Sequence, residues 1–119
     1  MKKILLPALL LMSTLAFAAQ PKPAFLQPEV LKAAMAINLT DAQKPQFQEA
    51  LTEFSQNRMK MIGKLMRKNN MTNIDRKIRS RTNSLLKKMD KSMAGFLSEE
   101  QMPAYENYRD TLKANLRGG

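Results

Sequence analysis

The feature that most restricts this chain is a motif that occurs twice. Leu39-Thr40-Asp41-Ala42-Gln43-Lys44-Pro45-Gln46-Phe47 lines up with Leu97-Ser98-Glu99-Glu100-Gln101-Met102-Pro103-Ala104-Tyr105, with Leu, Gln and Pro identical. In each copy a hydroxyl residue stands three positions before a glutamine. The hydroxyl can accept a hydrogen bond from the glutamine's backbone amide. The glutamine side chain can accept one from the backbone amide of the hydroxyl residue, which completes a capping box. Asp41 adds negative charge at the positive end of the helix that follows. Pro45 and Pro103 lie just past the positions where a missing N–H is harmless, so each first turn should be loosened without breaking. The repeat predicts two equivalent helix starts, each at a corner of a helical bundle.

Helical periodicity fills the spaces between these starts. Pro28 can open a short helix carrying Leu31, Ala34 and Met35 that stops near Ile37. After the first box, Phe47, Leu51, Phe54, Arg58, Met61 and Leu65 recur in alternating steps of four and three, the seam of a helix packed on another helix. Asn69-Asn70 favours a turn. Thr72 with Asp75 is a weaker start signal for a helix that sets Ile74, Ile78, Leu85, Ser92 and Phe96 on one stripe, with Arg81 filling the gap. Gly95 marks its end. The last helix carries Met102, Tyr105, Tyr108, Leu112 and Leu116 and stops at Gly118-Gly119. No segment alternates as a strand does, so the fold class is all-α: a short N-terminal helix, a long antiparallel helical hairpin and a C-terminal helix.

Each central helix carries a second stripe about 100° round from the first. On one helix it is Met59, Ile62 and Met66, and on the other Thr82, Leu86 and Met93. In an antiparallel pair, stripes displaced in the same rotational sense fall on one side. The predicted binding surface is therefore Met59, Ile62, Met66, Leu86 and Met93, rimmed by Lys60, Lys64, Arg67, Arg79 and Lys87. Such a stripe more often faces the core than a ligand. Methionine's flexible thioether suits surfaces that accept many partners.

Charge points the same way. From Arg58 to Lys91 there are twelve Lys or Arg against Asp75 and Asp90, while the segments on either side are near neutral. Such a block draws anions. There is no Cys and no His, so nucleophilic catalysis and a zinc site lack their usual material, and an enzyme is not expected. Met59, Met61, Met66 and Met71 could offer thioether sulfur to copper(I), but Met59 and Met61 lie on different helical faces. No cofactor is expected. Nucleic acid suits the charge but not the shortage of aromatic platforms.

The first residues read as an export signal. Lys2 and Lys3 precede an apolar run that ends Ala16-Phe17-Ala18, which predicts a signal peptide at residues 1–18, cleaved after Ala18 on export across the inner membrane. The run is shorter than the roughly 20 residues a spanning helix needs. Residues 19–27, rich in proline, read as a flexible leader, and 28–119 as a single helical domain.

The paired motifs, Asn38 to Lys44 and Leu97 to Gln101, resemble the LTxxQ motifs of the Spy/CpxP family. The resemblance implies a periplasmic protein of envelope stress and a cradle-shaped antiparallel homodimer. Family members include an ATP-independent chaperone that holds unfolded clients and a modulator of a sensor kinase, so both unfolded proteins and a sensor kinase's periplasmic domain are implied partners. Carried across, the motif residues are Leu39, Thr40, Gln43, Leu97, Ser98 and Gln101, with a role in capping and corner packing.

Overall fold

A computed structural model describes residues 23–68 and 73–117. The signal peptide at 1–18, the first part of the leader, the Asn69-Asn70 turn, Met71, the Thr72 start signal and the Gly118-Gly119 stop lie outside the described residues. Among those described the chain is all-helical. Four α-helices follow a short 3-10 turn at Ala24–Leu26: α1 (Pro28–Met35), α2 (Gln43–Arg67), α3 (Ile74–Ala94) and α4 (Met102–Arg117).

The end of the leader packs on the core. Phe25 sets its ring edge-on to Phe54, with centroids 6.4 Å apart, and Ala24 packs beside it on the core. A large apolar side chain so close to α1 gains more from burial than its short turn loses in entropy. Helix α1 begins at Pro28, where proline costs no hydrogen bond. Its exit runs through Asn38, which is left-handed at φ 59°, a conformation asparagine tolerates better than most residues.

Helix α1 packs on α4, and α2 packs on α3. One apolar cluster gathers Val30, Ala33, Ile37, Phe47, Phe54, Leu86, Met89, Met93, Leu97, Tyr105, Tyr108 and Leu112. Phe47 and Tyr108 bring α2 and α4 together with ring centroids 5.3 Å apart. The seam expected on α2 is the buried one, with Phe47, Phe54, Met61 and Leu65 facing inward.

Helix α3 is rotated relative to the expectation. Its buried residues are Thr82, Leu86, Met89 and Met93, while Ile74, Ile78, Leu85 and Phe96 are half-buried and Ser92 and Arg81 are exposed. The stripe read as spare is the one that faces the core. Leu86 is 4% exposed and Met93 fully enclosed, so neither can touch a client in this chain. The physical reason is continuity. Thr82, Leu86, Met89, Met93 and Leu97 make an unbroken apolar line with one small hydroxyl, whereas the alternative line is interrupted by Arg81 and Ser92. Burying an arginine without a partner costs far more than leaving an isoleucine half-wet. Gly95 ends the helix with an ordinary right-handed backbone. A Cβ there would approach the carbonyl oxygen of Ser92 to 3.2 Å.

Candidate client-binding surface

The repeated motif builds the corner that holds the rest in place. The Thr40 amide donates to Gln43 Oε1 at 3.0 Å and the Gln43 amide to Thr40 Oγ1 at 3.2 Å. The second box repeats this, Ser98 N to Gln101 Oε1 at 2.9 Å and Gln101 N to Ser98 Oγ at 3.3 Å. The two helix starts share one corner, and their glutamines meet. Gln43 Nε2 donates to Gln101 Oε1 at 3.0 Å, and Gln101 Nε2 donates back to Gln43 Oε1 at 2.9 Å. The remaining hydrogens go to carbonyls: Gln43 Nε2 to Phe96 O at 2.9 Å and Gln101 Nε2 to Asn38 O at 3.1 Å. Flipping either amide would set N–H against N–H, so the network fixes its own orientation. Leu97 is buried and Leu39 half-buried beside it.

A second link ties α4 to α3. Tyr105 Oη donates to Asp90 Oδ1 at 2.7 Å, and Arg109 Nη1 reaches Asp90 Oδ2 at 3.0 Å. Burial, with the adjacent Asp90 carboxylate, pushes the Tyr105 phenol well above its ordinary range. Burial alone does the same to Tyr108. No sequence pattern marked this link, because Asp90 and Arg109 each read as ordinary exposed helix charges.

Away from the corner the surface changes. On α2, Met59 is 71% and Met66 51% exposed, with half-buried Ile62 between them. Ile62 also lines a groove of about 440 Å³ whose walls include Ile78, Leu116, Arg58, Arg79 and Lys113. The apolar stripe of α2 is thus open and runs into a cationic groove. Of the predicted surface residues, Ile62 and Arg79 meet in this groove, Met59 and Met66 share Ile62's stripe, and Leu86 and Met93 are sealed away.

Lys60, Lys64, Arg67 and Lys87 are exposed, but they do not frame the stripe. At about 100° per residue, Lys64 falls nearly opposite the Met59–Ile62–Met66 line, and Lys60 and Arg67 fall more than a quarter-turn away. Lys87 lies well round α3 from its buried face. The cations that share a groove with the stripe, at Ile62, are Arg58, Arg79 and Lys113. Arg58 carried the signal in the sequence, as the one charge inside an otherwise apolar seam.

Among the described residues, no cluster of His, Cys, Asp or Glu could hold a metal ion, and no helix is long and apolar enough to cross a membrane. No protein family, no curated protein and no solved structure matches this chain.

Proposed function

We propose that the protein is a periplasmic, ATP-independent chaperone-like binder of unfolded segments, with the helical hairpin and homodimeric cradle that resemblance to the Spy/CpxP family implies. One observation carries the reading. Two methionines stand exposed on one helix face, and that face continues into a groove with cationic walls. Methionine side chains adapt to varied apolar partners at little cost. Isolated exposed apolar residues need no explanation, but a stripe continuous with a groove does. The surplus of cations over carboxylates there favours acidic segments and hastens encounter.

The test is suppression of aggregation of an unrelated, chemically denatured protein. The wild-type chain should suppress it without nucleotide, and Met59→Ser/Met66→Ser should lose at least half of that capacity while folding normally. A wild-type chain that leaves aggregation unchanged would remove client holding. The sensor-docking adaptor would then be the surviving form of the resemblance.

A further inference from the structure

Arg58 sits in the seam of α2, half-buried, and lines the distal groove. Its Nε donates to Thr82 Oγ1 at 3.1 Å. That bond fixes the plane of the guanidinium and leaves Nη1 and Nη2 without a partner among the described residues. No carboxylate lies within ion-pair distance of it there, since the ion pairs found involve only Lys44 with Asp41 and Arg109 with Asp90 and Asp110. Arg79 and Lys113 stand on the same walls, also without an ion pair among the described residues, and Asp75 is the single acid among the lining residues. Burial lowers the pKa of Arg58, with no opposite charge to offset the loss of water. A cation held partly out of water with no anion costs stability, and its two free nitrogens present the fork that carboxylates take up side by side.

The rest of the lining restricts what the anion is attached to. Ile62, Ile78 and Leu116 offer apolar contact, and the volume of about 440 Å³ falls in the range of small-ligand sites, roughly 300–1,000 Å³. Helices present no free backbone edge, so an unfolded segment held on the open Met59–Met66 stripe keeps its backbone N–H and C=O groups in water and does not bury them in this groove. A single apolar chain has no such groups.

We propose that this groove is a binding site for a single-chain anionic amphiphile, a fatty carboxylate whose head pairs with Arg58 and whose chain lies on Ile62, Ile78 and Leu116. The site does not depend on client holding and can be tested without a client. It also accounts for an arginine in a seam where leucine would pack better.

The experiment is calorimetric titration of dodecanoate, below its micelle concentration, into the purified protein. Dodecanol and acetate serve as the headless and tailless controls. Saturable binding of about one dodecanoate per chain is expected, with both controls at least about tenfold weaker, a difference of about 1.4 kcal/mol. Arg58→Gln should weaken dodecanoate at least about tenfold while the unliganded protein melts no earlier than wild type, because an unpaired charge has been removed. A merely structural arginine would give the reverse, early melting with affinity unchanged. Should Arg58→Gln fail to fold, Arg79→Gln/Lys113→Gln decides alone, and a loss of less than about threefold overturns the assignment. Equal binding of dodecanol, or no binding of dodecanoate, overturns it outright.

Discussion

The corner and the far ends of α2 and α3 are built on opposite principles. At the corner two glutamine amides satisfy each other, two helix starts and two loop carbonyls, near enclosed Ile37 and Tyr105. At the far end the buried residues of α2, Met61 and Leu65, lie outside the main apolar cluster. There Met59 and Met66 stand in solvent, and Arg58 has no acid partner among the described residues. Among the described residues, polar networks gather where the motif repeats, and open apolar side chains and cations without an acid gather where it does not. On the proposed reading, the corner is a support and the distal surface does the binding.

The largest expected effect tests which stripe of α3 is buried. Met93→Ala should cost about 2–5 kcal/mol, as truncation of an enclosed side chain does. Met59→Ala should stay within about 0.5 kcal/mol. Urea melts of the two variants compare them directly, and similar losses would erase the contrast.

The next effect isolates the cross-corner amide pair from its caps. Gln43→Glu keeps an acceptor for the Thr40 amide and so preserves the box, but it cannot donate to Phe96 O or Gln101. A loss of about 1–3 kcal/mol is expected, seen as a lowered melting temperature. Gln43→Ala/Gln101→Ala should cost less than the two single changes summed, because both remove one shared network. Additive losses would mean that the glutamines act only as separate caps.

A smaller effect concerns the link between α3 and α4. Tyr105→Phe should cost about 1 kcal/mol through the lost bond to Asp90. Because both buried phenols are held above their ordinary pKa, the folded state favours their neutral forms. Stability from this source is whole below about pH 10, where unfolded tyrosines ionise, and falls as the pH rises above it. Tyr105→Phe/Tyr108→Phe should flatten that alkaline decline in thermal melts, and an unchanged slope would contradict the burial of the two rings. The smallest effect falls at Asn38. Asn38→Gly should be nearly neutral, and Asn38→Val should cost about 1–2 kcal/mol for its left-handed backbone.

Much of this was legible in the residues. The two boxes, the helix they open and the seam Phe47–Phe54–Met61–Leu65 follow from local spacing, which is why α2 and α4 start where expected. The rotation of α3 was harder. Both of its faces carry apolar residues at helical steps, and the spacing that starts from Ile74 and Ile78 picks out the half-wet one. Arg81 and Ser92 in that line, and Met89 completing the other, were the signals that decide it. The meeting of Gln43 with Gln101 joins residues far apart in the chain, and no local rule reaches that far. The repeat hinted at equivalence, not at contact. Arg58 in the seam was visible, but its lack of an acid partner depends on neighbours from three helices.

The claim that the distal stripe of α2, and not the corner, meets a client is tested most directly by site-specific photocrosslinking. A photoreactive residue would replace Met59, Met66 or the corner-proximal Gln46, each exposed, in the presence of a denatured client. Adducts at positions 59 and 66 with little or none at 46 are the predicted result. Equal labelling at all three, or labelling at 46 alone, would contradict it.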